Sequence, residues 1–344
     1  MTTHHSPTPL DVRNTLPRSA YHYSLFLGSL LFLTVSSLFA GLWYLSLSAD
    51  NLLLKALFGV MSGQAIGIMF VIGHDAAHGS LTNRPFFDRL YATLAFLPSL
   101  HPVCTWKIEH NKMHHGWTNL KGMDPVYPPM SPDEFAALSP WQKRVNRFYR
   151  SIWGFGCYYL FDIWWKVLIL RRSENGKEIP AYVAALDFLA LASFVAFEVF
   201  MAFTFAADTA GFVWNLVLCV GLPFLVWNYV MTFVTIQNHT YPTIRWYDNR
   251  EEWNYFRAQV AGSIHTKVPA WLDFSFARVF QHTAHHVDKK IPLYRLVKSQ
   301  ASLEKTFAEN VTVVGLTLKE FLTVLNECQM YDYRKHEWMP FPRS

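Results

Sequence analysis

Residues 53–79 read LLKALFGVMSGQAIGIMFVIGHDAAHG, an apolar run that ends in two histidines four positions apart. The run is long enough to cross the hydrocarbon core of a bilayer, which takes roughly 20 helical residues. The i, i+4 spacing of His74 and His78 places both imidazoles on one helical face. This stretch therefore predicts a transmembrane helix that carries a histidine pair at one end.

Three other runs have the same length and apolar character, so that four spans are predicted in all, at about 22–47, 53–73, 181–206 and 212–236. They form two hairpins, because each pair is joined by only a few residues. These short connections are too small to build a site on their side of the membrane. Everything else, 74–180 and 237–344, is expected on the opposite side together with both termini.

The distribution of charge predicts which side that is. Lys and Arg total 30, and all of them except Lys55 lie outside the four spans. By the positive-inside rule, the face that carries both termini is cytoplasmic. Lys55 stands at the start of the second span, where its side chain is expected to snorkel to the far interface.

The composition agrees with a membrane protein, since 51% of the residues are hydrophobic and only 16% are charged. No linker or low-complexity tract divides the chain, so a single domain over 1–344 is predicted. Shorter apolar stretches at about 90–104 and 151–170 are interrupted by proline, glycine or charge, which predicts interfacial or re-entrant helices. The predicted fold class is an all-α integral membrane protein, with four transmembrane helices in two hairpins and a cytoplasmic helical cap.

Fifteen histidines are present, and nine of them form a pattern. The first box is the His74–His78 pair, the second has spacing HxxxHH, and the third has spacing HxxHH. A further histidine follows the fourth span by a few residues. The predicted metal ligands are His74, His78, His110, His114, His115, His239, His282, His285 and His286.

Imidazole suits iron, copper and zinc, so ligand type alone does not name the metal. Nine ligands are too many for one ion but give two ions four or five each, which predicts a dinuclear centre. The four cysteines are far apart and form no CxxC pair. No catalytic residue separate from the metal ligands is predicted. Carboxylates often orient ligating imidazoles, and the candidates near the boxes are Asp75, Glu109, Asp124 and Asp288.

The order HxxxH, HxxxHH, HxxHH around two hairpins resembles the membrane fatty acid desaturase superfamily over roughly residues 50–300. The flanks resemble the acyl-lipid omega-6 (delta-12) branch, namely Trp-Lys-Ile-Glu-His at 106–110, Thr-Asn at 118–119 and Ile-Pro-Leu-Tyr-Arg-Leu at 291–296. The resemblance also implies that His239 is an extra ligand. Relatives often read Gln-His-Thr-His-Pro there, whereas this chain has Tyr241 in place of the second histidine.

The resemblance implies a centre of two non-haem Fe ions that uses O2 to introduce a double bond into a long-chain acyl group of a membrane lipid. The electrons are expected from a separate carrier of the ferredoxin or cytochrome b5 type, because the chain has no nucleotide-binding loop, cysteine cluster or fused cytochrome. A net charge of +5 would favour either an acidic carrier or anionic lipid. No nucleic-acid partner is expected.

Two alternatives remain at this stage. Acyl or alkane hydroxylases and carotenoid hydroxylases or ketolases of the same superfamily use closely similar boxes, and they differ in whether oxygen is inserted. A histidine-rich metal transporter or a haem-binding membrane protein is the other alternative. It would place its paired histidines within the spans, whereas the doublets His114-His115 and His285-His286 lie outside them.

Overall fold

The computed structural model describes residues 6–170 and 179–343, and these are mostly helical. Four helices of the described chain are long and apolar enough to cross a membrane: Leu25–Ser48, Leu52–His78, Ala181–Thr204 and Thr209–His239. We call them the first to fourth spanning helices. The predicted fold class, with four membrane helices and a histidine cluster, is confirmed.

The remaining helical segments are short. They comprise Pro9–Asn14, Arg18–Tyr21, Pro85–Phe96, Val103–Trp106, Lys107–His114, His115–Trp117, Pro132–Ala137, Pro140–Tyr149, Phe155–Tyr158, Tyr159–Ile169, Phe256–Val260, Ala270–Ser275, His282–Val287, Leu293–Arg295, Leu296–Thr306 and Leu318–Glu327. Three of these are π-helical, Lys107–His114, Tyr159–Ile169 and Phe256–Val260. We call His282–Val287 the third-box helix.

Two small sheets accompany the helices. Ile264–Lys267 pairs in parallel with Thr312–Gly315, and Met330–Asp332 pairs antiparallel with Glu337–Met339. These strands have three or four residues each. The sequence did not predict them, because an apolar alternation over so few positions is too short to be recognised.

The chain divides into two compact units. The histidine-rich unit comprises the described residues within 1–22, 109–158 and 232–344. The four-helix unit comprises those within 23–108 and 159–231. That the whole chain acts as one domain stays a prediction.

Polar caps determine where three of the spanning helices begin. The hydroxyl of Ser24 accepts a hydrogen bond from the amide of Leu27. The side chain of Asn51 accepts from the amides of Leu53 and Leu54, and Asp208 caps the fourth spanning helix. A side-chain oxygen at this position satisfies amides that have no partner within the helix. The short polar connections therefore end one helix and start the next, as the sequence predicted.

The second spanning helix continues beyond the predicted residue 73 and ends at His78. It stops at Gly79, whose φ of 69° lies in the left-handed region that glycine adopts most easily. The first histidine pair is therefore part of the helix itself.

Three glycines of the second spanning helix allow the fourth to approach closely. A Cβ on Gly59 would lie 2.3 Å from the carbonyl oxygen of Leu218, and one on Gly63 would lie 2.6 Å from the Cβ of Val226. Gly67 makes a similar approach one turn later. Small residues four apart are a common way to bring membrane helices together, because they let the backbones touch.

The prediction that Lys55 snorkels to the far interface is wrong. The side chain is buried, and its ammonium donates to the carbonyl oxygens of Ser46 and Leu47 at 3.0 Å each and to Oδ1 of Asn215 at 2.7 Å. The two carbonyls belong to the last turn of the first spanning helix, where no helical amide can reach them. Lys55 therefore ties the end of one hairpin helix to the start of the next.

Replacing Lys55 with methionine is expected to lower the free energy of unfolding by about 3 kcal/mol, because three buried acceptors lose a charged donor. The measurement is the thermal unfolding of the purified protein in detergent. Lys319→Met is the matched control, since Lys319 is exposed. Equal stability of the two variants would contradict a structural role for the buried ammonium.

Candidate metal centre

Four buried histidines converge inside the histidine-rich unit. Their ring nitrogens lie within 4.8 Å of one another, and the set, called here the four-histidine group, is His114, His239, His282 and His286. One comes from the π-helix Lys107–His114 and one from the end of the fourth spanning helix. The other two come from the third-box helix, where the i, i+4 spacing places them on one face.

The ring nitrogens of this group lie close to one another. The Nε2 atoms of His239 and His282 are 2.8 Å apart. Metal–nitrogen bonds of roughly 2.0–2.1 Å hold two ligand nitrogens of one ion about 3 Å apart. The spacing of the rings therefore fits the donors of one metal ion.

His286 is oriented so that one particular nitrogen is available. Its Nδ1 donates to Oε1 of Gln259 at 2.8 Å, and Nε2 has no hydrogen-bond partner among the described residues. Burial lowers the pKa of His286 well below its usual value, and the neighbouring histidines lower it further. The imidazole is thus neutral, with its Nε2 lone pair turned towards the other rings of the group.

His114 is held by a carboxylate in the same manner. Its Nδ1 donates to Oδ1 of Asp124 at 2.9 Å, and both groups are buried. The other oxygen of Asp124 accepts from the amide of Asn119 at 2.8 Å, which fixes the carboxylate in turn. The expected contact of Asp124 with a box histidine is therefore confirmed, while the role of His114 as a metal ligand stays a prediction.

Three more histidines form a second set in the same unit, the three-histidine group of His110, His115 and His285. The Nε2 atom of His115 lies 3.2 Å from that of His110 and 3.1 Å from that of His285. These separations again match those of ligands on a single ion.

Each histidine doublet divides between the two groups. His114 belongs to the four-histidine group and its neighbour His115 to the other, and the same is true of His286 and His285. In the second box, His110 and His114 are four residues apart but belong to different groups. The cause is the π-helix Lys107–His114, whose wider turn brings residues five apart together.

The first box lies in the four-helix unit. The Nε2 atoms of His74 and His78 are 3.3 Å apart, so the predicted pairing on one helical face is confirmed. The indole of Trp106 packs against both rings, with centroids 5.3 and 5.7 Å away. Oδ1 of Asp75 lies 3.4 Å from Nδ1 of His74.

The chemistry of both groups is uniform. All their donors are imidazoles, and no cysteine or carboxylate of the described chain belongs to either group. An all-nitrogen set of intermediate softness suits iron, copper or zinc and disfavours magnesium or calcium.

Comparison with known proteins identifies the family. The family model described as fatty acid desaturase matches residues 50–316. The chain belongs to the fatty acid desaturase family. The resemblance inferred from the three boxes is thereby confirmed.

Several desaturases are similar over most of their length. A Picosynechococcus protein named sn-1 oleoyl-lipid 12-desaturase is 28% identical, and the match covers 96% of this chain and 92% of the relative. Chloroplastic omega-6 fatty acid desaturases of Glycine max and Arabidopsis thaliana are each 27% identical. Those matches cover 94% and 97% of this chain, and 74% and 71% of the relatives.

These relatives support the predicted enzyme class, an oxidoreductase that desaturates fatty acyl groups. They favour it over the hydroxylase, ketolase and transporter alternatives, because the relatives named above are all desaturases. An acyl lipid substrate and a location in the membrane follow from the family and the four spanning helices.

One residue of this desaturase was missed by sequence reasoning. Besides accepting from His286, the buried amide of Gln259 donates from Nε2 to the carbonyl oxygen of His115 at 2.9 Å. It therefore connects the second box to the third. Gln259 belongs to no histidine motif, so only its position in the short π-helix Phe256–Val260 signals its role.

Asp288, another predicted orienting carboxylate, has different partners. It accepts a hydrogen bond from the hydroxyl of Tyr21 at 2.9 Å, and it pairs with Arg13 at 3.2 Å. Asp288 thus attaches the N-terminal segment to the end of the third box, and its contacts do not include a box histidine among the residues described.

His101 lies outside the boxes and is structural in this desaturase. Its Nδ1 donates to the carbonyl oxygen of Ser99 at 2.6 Å, and its Nε2 accepts from the hydroxyl of Tyr159 at 2.8 Å. Burial lowers the pKa of His101 to about 3. The ring is therefore neutral at physiological pH, as a hydrogen-bonded anchor requires.

The low pKa of His101 predicts a loss of stability in acid. Below about pH 6.5 the imidazole of His101 takes up a proton in the unfolded chain but stays neutral in the folded protein. The free energy of unfolding therefore decreases as the pH falls. At pH 5 this residue should account for about 2 kcal/mol. Unfolding of the wild type and of His101→Gln is compared between pH 7.5 and pH 5. An equally steep decline in both proteins would contradict the assignment.

Proposed function

We propose that this enzyme is an oleoyl-lipid 12-desaturase, which introduces a second double bond into an oleoyl chain of a membrane lipid. Two relatives with that activity in their names match 96% and 86% of this chain. The observation that carries the proposal is the gathering of seven box and box-related histidines into two all-imidazole groups within one unit.

We propose two iron ions as the cofactor. The four-histidine group would hold one ion, and the three-histidine group would contribute ligands to the other. The proposed ligands are the nine predicted histidines: His74, His78, His110, His114, His115, His239, His282, His285 and His286. Nitrogen separations near 3 Å and the available Nε2 of His286 support this assignment.

Iron bound there would supply, with dioxygen and electrons, an oxidant strong enough to remove hydrogen from an unactivated methylene. Residues of the protein fix which ring nitrogen of each histidine carries the proton. Asp124 keeps a proton on Nδ1 of His114, and Gln259 keeps one on Nδ1 of His286. Each hydrogen bond leaves Nε2 of the same ring as the atom that would bind iron. Burial keeps water away from the four-histidine group.

The stoichiometry requires a partner. Desaturation removes two hydrogen atoms from the acyl chain, while reduction of one O2 to two waters consumes four electrons and four protons. The remaining two electrons come from a carrier, which we propose to be of the ferredoxin or cytochrome b5 type. We further propose that the site and both termini are cytoplasmic, supported by the placement of Lys and Arg.

The test is expression in a host whose lipids contain oleate but no dienes, together with an active ferredoxin or cytochrome b5 system. Gas chromatography with mass spectrometry of derivatised chains is expected to show a new double bond at position 12. A hydroxylated chain would overturn the desaturase assignment, and a double bond elsewhere would overturn the proposed position. An unchanged lipid profile with active donor and full-length protein in the membrane would overturn the substrate.

A further inference from the structure

The helix Pro140–Tyr149 in the histidine-rich unit has its polar and apolar sides in an unusual arrangement. None of its residues is buried, although Trp141, Val145 and Phe148 recur at helical spacing. Such a stripe normally packs against the core of a protein. Here the side that packs against the rest of the unit is the cationic one.

Two basic side chains make that attachment. Lys143 donates to the carbonyl oxygen of Ala136 at 2.7 Å. The guanidinium of Arg147 lies over the rings of Phe135 and Phe341, at 5.5 and 5.3 Å from their centroids. Cation–π contacts and the aliphatic stems of these side chains thus fasten the helix through its polar side.

The opposite side is apolar and exposed. Trp141 is 71% exposed, and Phe148, seven residues later, is 46% exposed. The turn that follows the helix adds Ile152 at 41% and Trp153 at 79%. Residues seven apart share a helical face, so Trp141 and Phe148 point outward on the same side. We call these two residues, together with the exposed Ile152 and Trp153 of the following turn, the 141–153 patch. Several large apolar side chains exposed within 13 residues mark a surface that contacts something other than water.

The charges of this segment point to an anionic occupant. No Asp or Glu occurs from residue 135 to 161. Arg144 is exposed and lies between Trp141 and Phe148 on the outward side, and it makes no ion pair among the described residues. Tryptophan beside arginine is the combination that favours the headgroup level of a bilayer.

We propose that the 141–153 patch lies in the interface of a membrane containing anionic lipid, with the aromatic rings among the acyl chains and Arg144 at the phosphates. The four spanning helices keep the chain at a bilayer, so the contact costs little additional translational freedom. The inference stands apart from the proposed reaction, because it uses no residue of the histidine groups. It adds a surface through which the lipid composition can be sensed.

The test places a fluorophore on Phe148→Cys or, as the matched control, on the exposed Gln142→Cys of the same helix. Both are made in full-length protein carrying Cys104→Ser and Cys157→Ser, so that the two partly exposed cysteines do not react. The protein is reconstituted in phosphatidylcholine vesicles with or without phosphatidylglycerol, and nitroxide-labelled lipids report the depth of each label.

The label at 148 is expected roughly 5–10 Å below the headgroups, and the label at 142 in water. Phosphatidylglycerol should deepen the first label, and Arg144→Glu should cancel that effect. Equal access of an aqueous quencher to both labels in every vesicle would overturn the proposal. If the label at 148 contacts lipid to the same depth with and without phosphatidylglycerol, and also in Arg144→Glu, the proposed preference for anionic lipid is overturned. Shielding of residue 148 only in native membranes, and not in vesicles, would overturn it in favour of a protein partner.

Discussion

The His114→Ala and His285→Ala variants are expected to lose desaturation and bound iron together, by at least about 100-fold in activity. Each variant removes a member of a different histidine group. Losing one imidazole leaves an ion with an incomplete set of donors in a buried cage, where water cannot replace the missing nitrogen with the same geometry. His78→Ala in the first box should behave alike.

The measurement is iron per protein by elemental analysis, alongside the yield of the new double bond. His336→Ala serves as the control, because His336 bonds Glu252 and the backbone of Trp246 and belongs to neither group. We expect it to retain iron and activity. Full turnover in either ligand variant, at normal protein levels, would contradict the proposed cage.

The Gln259→Leu variant is expected to bind iron about 10- to 100-fold more weakly, the range typical of groups that orient a ligating histidine. Leucine has a similar size but can neither accept from Nδ1 of His286 nor donate to the carbonyl oxygen of His115. His286 would then be free to rotate or to change its tautomer, and its Nε2 would no longer be presented reliably.

Gln259→Glu separates orientation from simple packing. Glutamate keeps the acceptor for His286 but loses the donor to His115, so we expect iron affinity between those of the wild type and of Gln259→Leu. Affinity is measured by competition with a chelator, independently of turnover. Gln329→Leu is the control, since the side chain of that glutamine bonds the carbonyl oxygen of Leu325 and the amide of Phe341, and it contacts no box histidine among the described residues. If Gln329→Leu lost as much iron as Gln259→Leu, Gln259 would contribute only to the stability of the fold and would not orient a ligating histidine.

The split of each histidine doublet explains why the boxes carry adjacent histidines. Neighbouring residues on a helix project about 100° apart, so His285 and His286 cannot both be ligands of one compact group. They can serve two groups on adjacent sides of the same short helix. The third-box helix is thereby shared by both groups, and one segment determines the position of ligands in each.

Local patterns in the sequence determined the four spans, their caps and the histidine spacings. These features depend on residues close together in the chain, such as Asn51 before the second spanning helix or His74 and His78 along it. Hydrophobic length and helical period are local properties, and they can be read without knowledge of distant contacts. The desaturase family followed from them because the boxes are specific in order and spacing.

Tertiary structure alone decided which histidine joins which group and what holds it. Gln259 meets His115 across 144 residues, and His239 meets His282 across 43. The buried position of Lys55 also depends on a distant contact, because its partner Asn215 lies 160 residues away in the chain. Such contacts depend on how helices pack and on π-turns that shift the helical period. Neither leaves a periodic signal in the sequence, so the ligand spacings were foreseeable and the division between the groups was not.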